Sequence, residues 1–189
     1  LPEGITNIPN YLFYNCTNLI SVVLPDSLKT IGNYAFYGCT SLGAMDMGEG
    51  VTSIGARAFY GCSILEDVIL SRNITSIGEY AFYNCNKLGE IELSSRLKTI
   101  GGYAFRHTAI KEIEIPSGVT AINGYTFANC SELEKIVIKD NVTSISGTAF
   151  NESPNVVIYC YEGSKAHTFA VDNGIAFVLM ERPKAENGS

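Results

Sequence analysis

The chain says the same phrase several times. "VTSIGARAFYGC", Val51 to Cys62, returns as "ITSIGEYAFYNC", Ile74 to Cys85; "LKTIGNYAFYGC" begins at Leu28 and "LKTIGGYAFRHT" at Leu97, with weaker copies from Ile5, Val119 and Val142. The starts are 23 residues apart in every step but one, which is 22. A period between about 20 and 50 residues marks a solenoid, in which each unit touches only its neighbours, and this excludes an ordinary globular core.

Within the unit, the phrase L-x-x-I-x-L alternates as a β-strand does. It recurs as Leu19/Val22/Leu24, Leu42/Met45/Met47, Leu65/Val68/Leu70, Leu88/Ile91/Leu93, Ile110/Ile113/Ile115 and Leu133/Ile136/Ile138. Strands at equal spacing are expected to stack in parallel and in register, about 4.8 Å apart. A shorter apolar pair (Val51/Ile54, Ile74/Ile77, Leu97/Ile100) is expected on the opposite wall. Between the walls, the column Gly32, Gly55, Gly78, Gly101, continued by Asn123 and Ser146, suits a tight corner at positive φ. One copy offers Val51, Ile54, Ala58, Phe59, Cys62, Leu65, Val68 and Leu70 to the core. Burial gives about 1.5–3 kcal/mol per large apolar side chain, against about 1–2 kcal/mol per residue of backbone entropy. One unit therefore cannot fold alone, whereas stacked units turn each column into a ladder. Phe13, Phe36, Phe59, Phe82, Phe105, Phe127 and Phe150 are expected to form a buried spine.

The phrase I-G-x-x-A-F-x-x-C-x-x-L-x-x-I-x-L-P resembles the BspA-type (Treponema-type) leucine-rich repeat from Ile5 to about Tyr161. It departs from ordinary leucine-rich repeats in placing the cysteine before the strand. The resemblance implies a mainly β solenoid, curved and right-handed, with a concave parallel sheet and little helix. It also implies a bacterial cell-surface or secreted protein of anaerobes, or a protein of mucosal protozoa, some relatives of which bind host matrix proteins.

The expected organisation is a solenoid over 1–161, entered in mid-repeat as a fragment of a longer protein would be, a cap over 162–180, and a disordered tail over 181–189. In the cap, Ser164 suits a helix N-cap, Ala166, Phe169 and Ala170 have helical spacing, Asn173-Gly174 supplies a stop, and a strand follows from Ile175 to Leu179.

Charge limits the partners. With 13 Lys and Arg against 19 Asp and Glu, a net charge of −6 argues against nucleic acid, which needs clustered bases. No apolar run approaches the roughly 18 residues of a membrane span. Cys16, Cys39, Cys62, Cys85 and Cys130 share a column, with Cys160 in the last strand. Their spacing resembles no zinc site, and parallel Cβ directions disfavour disulfides between rungs, so they are expected as buried free thiols acting as small hydrophobes. His107 and His167 lie in unrelated contexts, and no catalytic set or cofactor site can be assembled. The shortened fifth copy, with Arg106, His107 and Lys111 and with Thr108 in place of cysteine, reads as drift or as a site.

Two surfaces remain as candidates. Outward strand positions gather Asp46, Asp67, Glu90, Glu92, Glu112 and Glu114 on the concave face. They suit a solvated acidic face, a docking surface for a basic segment, or a loose divalent-cation site. Nine of the eleven tyrosines fall in two ladders, Tyr11, Tyr34, Tyr80, Tyr103 and Tyr125 two residues before the spine phenylalanine and Tyr14, Tyr37, Tyr60 and Tyr83 one after it. One alternative is half-buried stacking with hydroxyls in water; the other is an adhesive aromatic strip of Tyr34, Tyr37, Tyr60, Tyr80, Tyr83 and Tyr103. The expectation is a monomeric, non-catalytic module that binds a host or microbial surface protein or glycoprotein, such as a matrix protein or mucin. The alternative is a passive spacer.

Overall fold

The structure, a computed structural model, describes residues 1–183. Each turn of the chain lays down one short and one longer strand site. The short wall holds β1 (Asn7–Ile8), β2 (Thr30–Ile31), β4 (Ser53–Ile54), β6 (Ser76–Ile77) and β7 (Thr99–Ile100) as one parallel sheet in that order. The pair β9 (Ala121–Ile122) and β11 (Ser144–Ile145) follows the same register. The longer wall begins with β3 (Ala44–Asp46) and β5 (Asp67–Ile69), and Glu90 adds a single bridge to Asp67. It continues with β8 (Glu112–Glu114), β10 (Lys135–Val137), β12 (Val157–Cys160) and β13 (Ala176–Leu179). The parallel, in-register solenoid is as expected, with two departures. Leu19/Val22/Leu24 forms no strand and stays half-buried, and Leu88/Ile91/Leu93 contributes only the bridge at Glu90.

The third side of each turn has no strand, yet its amides are satisfied. Tyr34, Phe36 and Gly38 donate to the carbonyls of Ala56, Ala58 and Tyr60 on the next rung, while Ala35, Tyr37 and Cys39 donate back three residues. Seven of the eight expected core positions in the third copy are buried, and Leu70 is partly buried against them. The phenylalanine spine stacks with centroids 5.0–5.9 Å apart from Phe13 to Phe150.

The glycine column has a different cause from the one expected. None of Gly32, Gly55, Gly78 or Gly101 has positive φ. A Cβ on Gly78 would lie 2.5 Å from the Ala56 amide nitrogen, and on Gly101 2.4 Å from that of Glu79. These residues are glycine because adjacent rungs touch there. Positive φ falls two residues later, on Tyr11, Tyr34, Arg57, Tyr80, Tyr103 and Tyr125.

The cysteine column is also more than apolar filling. Cys39, Cys62, Cys85 and Cys130 point their thiols at the carbonyls of Phe13, Phe36, Phe59 and Phe105, 3.1–3.2 Å away. Ser153 holds the same position at the next turn and donates to Phe127 at 2.7 Å, so the column needs a small donor. All six cysteines are free; five are buried, but Cys16 in the first rung is exposed, contrary to the expected buried ladder. Burial, with Cys16 adding to it, pushes the Cys39 thiol from its ordinary value of 9.0 up to about 11, and burial pushes Cys62 and Cys85 higher still. The folded protein should therefore show one readily alkylated thiol and the denatured protein six. Unfolded thiols ionise near pH 9 while folded ones keep their protons. Stability should therefore hold below about pH 9 and fall as pH rises toward about 11, read as a declining urea midpoint. Three or more fast-reacting thiols in the native state would contradict this packing.

At the far end, α1 (Lys165–Asn173) is capped by Ser164, whose hydroxyl accepts from the His167 amide at 3.1 Å, and is stopped by Gly174 at φ 65. Ala166, Phe169 and Ala170 are buried, and Phe169 meets Phe150 at 6.0 Å, ending the spine on a helix. β13 then pairs in parallel with β12. Of the expected tail, 184–189 lies outside the described residues. No helix among the described residues is long and apolar enough to cross a membrane.

Candidate functional site

On the longer wall, side chains alternate in and out, so the exposed positions of β3, β5, β8 and β10 form two columns. Asp46, Asp67, Glu90, Glu92, Glu112 and Glu114 are all exposed there. They do not act as one acidic patch. Asp67 and Glu90 stand side by side, but Asp46 faces Ile69 in the ladder and accepts from the Gly48 amide at 2.9 Å. Glu112 pairs with Lys135 at 2.9 Å and Glu114 with Lys139 at 2.6 Å. The hydrogen bonds from these ammonium groups to their carboxylates raise both lysine pKa values. Around Asp67 and Glu90 a shallow hollow of about 320 Å³ is shared with Glu66, Lys87 and Lys111. The expected acidic face is thus a mosaic of both signs, since neighbouring rungs supply lysines to the carboxylates. Among the described residues no group of three metal-binding side chains converges.

The tyrosine ladders lie on the strandless side, where the chain passes from the short wall toward the spine. In the column after the spine residue, Tyr14, Tyr37, Tyr60 and Tyr83 stack at 4.9, 4.7 and 4.6 Å. In the column before it, Tyr11 stacks on Tyr34 at 4.8 Å, and Tyr80, Tyr103 and Tyr125 follow at 4.4 and 4.7 Å. The gap between Tyr34 and Tyr80 is filled by Arg57, whose guanidinium lies 4.4 Å from the Tyr80 ring centre and 5.5 Å from that of Tyr34. Its Nη1 donates to the Tyr34 hydroxyl at 3.1 Å. The two columns lean together, with Tyr34 and Tyr37 at 5.8 Å, and enclose an open cleft of about 340 Å³ lined by Tyr14, Tyr34, Tyr37, Arg57, Tyr60 and Tyr80.

Of the six tyrosines expected as a strip, Tyr34, Tyr37, Tyr60 and Tyr80 line this cleft, whereas Tyr83 and Tyr103 do not. They sit beside a second arginine, Arg106, 5.8 Å from each ring and 5.5 Å from Tyr125. The irregular fifth copy therefore supplies a guanidinium to the strip, held by Asn129 at 2.9 Å. Its Thr108 turns back to its own Phe105 carbonyl at 2.8 Å and meets Cys130 at 3.5 Å. Burial, then Arg106, lowers the pKa of His107. Arg57 went unread in the sequence, although it is the one break in an otherwise tyrosine-filled column from Tyr11 to Tyr125.

The column from Tyr11 to Tyr125 is costly to keep. All six of its members have φ of 55–63°, a left-handed conformation that costs most L-residues about 1–2 kcal/mol. Four residues on, where φ is also positive, the chain mostly uses Asn15, Gly38, Gly61, Asn84 and Asn129, which tolerate it well, with His107 and Glu152 as exceptions at φ 59 and 57. The tyrosines and Arg57 are therefore retained for their side chains, with ring stacking offsetting part of the strain. Burial and the neighbouring phenols of Tyr83 and Tyr37 raise the pKa of Tyr60 above its ordinary value of 10.0.

A family model described as "BspA type Leucine rich repeat region" matches six copies over residues 6–122 and 52–165. Among solved structures, the chain is 26% identical to a leucine-rich-repeat protein of T. pallidum, with a TM-score of 0.77 over 96% of this chain and 83% of that one. A leucine-rich cell surface protein from Faecalibacterium prausnitzii is 27% identical, with a TM-score of 0.65 over 92% and 62% of the two chains. A leucine-rich-repeat protein from Bacteroides ovatus is also 27% identical, with a TM-score of 0.63 over 85% of this chain but only 48% of its own length. No match is found among curated proteins.

Proposed function

This chain belongs to the BspA-type leucine-rich-repeat family, and from that premise we propose that it is a non-catalytic binding module of a surface or secreted bacterial protein. The observation that carries this reading is the tyrosine strip, a contiguous surface of half-buried rings and hydroxyls maintained over several rungs at the expense of backbone strain. Tyrosine gives rigid, amphipathic contact area at little conformational entropy, which is why interfaces are rich in it. The similarity to a leucine-rich cell surface protein supports the location, and the partner class is a surface protein or glycoprotein of host or microbe, with matrix proteins and mucin as examples.

The test is capture of the chain on immobilised matrix proteins and mucin, with Tyr37→Ala/Tyr60→Ala and Glu90→Gln/Glu92→Gln variants in parallel. Capture by at least one member should fall tenfold or more in the tyrosine variant and little in the other. Loss only in the carboxylate variant would move the site to the sheet face. Absence of capture across the panel would favour the passive spacer.

A further inference from the structure

We propose that the cleft around Arg57 binds a carboxylate-bearing sugar unit of a glycan chain; this rests on the reading of the tyrosine face as the binding surface. The argument begins with charge. Acids outnumber bases by 19 to 13 in this chain, yet among the described residues no carboxylate lies within ion-pair distance of Arg57. The guanidinium has five N–H donors, and the Tyr34 hydroxyl takes one. With the guanidinium held over the Tyr80 ring and by the Tyr34 hydroxyl, its remaining donors lie at a cleft open to solvent. A carboxylate is the group that such a fork binds in a bidentate manner.

The rest of the cleft extends that preference. Stacked rings hide their faces in one another, so the ladder of Tyr14, Tyr37 and Tyr60 turns ring edges and hydroxyls outward. Ring edges carry the positive end of the aromatic quadrupole, and a phenol can donate or accept. Hydroxyls repeated at the 4.7–4.9 Å of the stack suit a ligand that is itself a row of hydroxyls. A peptide is less well served. A peptide that adds as a β-strand needs a free strand edge, and one that docks as a helix needs an apolar groove. Here the amides of Tyr34, Phe36, Arg57 and Phe59 are already spent on the next rung. Arg106, two rungs further along and roughly 10 Å away along the axis at ordinary strand spacing, also has no ion-pair partner among the described residues, so a chain with repeated carboxylates would reach both.

The experiment is calorimetric titration of the chain with 3′-sialyllactose, with trigalacturonate and with lactose as the neutral control. The first two separate a terminal carboxylated sugar from an internal one. At least one acidic glycan should bind tenfold or more tightly than lactose, and the preference should shrink as salt is added. Arg57→Gln should weaken that glycan tenfold or more while lactose is unchanged. Tyr60→Phe, which removes a hydroxyl and keeps the stack, should weaken it several-fold with the thermal unfolding temperature preserved. Equal binding of acidic and neutral sugars, failure of both acidic glycans, or full binding by Arg57→Gln would overturn the assignment. Capture by the protein panel alongside such a failure would remove the ligand class and leave the binding module standing.

Discussion

Replacing Phe82 by Ala should cost about 3–5 kcal/mol of stability in urea denaturation. Its ring is fully buried and lies 5.2 Å from Phe59 and 5.6 Å from Phe105, in both cases nearly parallel. The cavity would open between two rungs held apart by ladder hydrogen bonds on either side of the spine. Neither neighbour can close it without breaking those bonds, so the cavity persists and the loss approaches the upper end for an aromatic deletion. Tyr80→Ala should cost about 1–2 kcal/mol, the worth of a stack with Tyr103 and a cation–π contact with Arg57. Tyr80→Gly should cost less than Tyr80→Ala, because glycine removes the left-handed strain at φ 56. Equal losses for Phe82→Ala and Tyr80→Ala would mean that the spine is not the mechanical core.

Gly78→Ala should be nearly as damaging, at about 3 kcal/mol, the upper part of the range for overpacking. The added carbon would meet the Ala56 nitrogen at 2.5 Å and the Gly55 carbonyl carbon at 2.6 Å, and both are backbone atoms that cannot swing away. Gly61→Ala is the informative comparison: its φ is 71, but nothing lies within 4 Å of the added carbon. It should lose about 1–2 kcal/mol through conformation alone. Gly78→Asn separates the two causes. If a left-handed turn demanded glycine at this position, asparagine would be tolerated; if rung contact demands it, asparagine should fail as alanine does. Thermal unfolding of the three variants gives the ranking.

The columns Ile54, Phe59, Leu65 and Val68 were legible because inward positions recur with the period, whatever the exact path of the chain. The cap was legible because Ser164, Phe169 and Gly174 are local signals that act within one helix. That the six carboxylates point outward was also legible, since a strand alternates strictly, and all six are exposed. What each surface residue meets was not legible. Glu112 meets Lys135, Arg57 enters the space between Tyr34 and Tyr80, and Cys62 reaches the Phe36 carbonyl, all across roughly one repeat length.

The division has a physical origin. The sequence by itself determined the repeat, the parallel register, the buried spine and the tyrosine columns, because these follow from the contents of one rung and the fact of stacking. Only the tertiary structure decided why the column of Gly78 is glycine, which residues bear positive φ, and that Arg57, at a tyrosine-lined cleft, has no carboxylate partner among the described residues. Those facts depend on the separation and offset of adjacent rungs, set by backbone hydrogen bonds such as Tyr34 to Ala56 at 2.9 Å. A gap of that kind belongs to two rungs together and is written in neither.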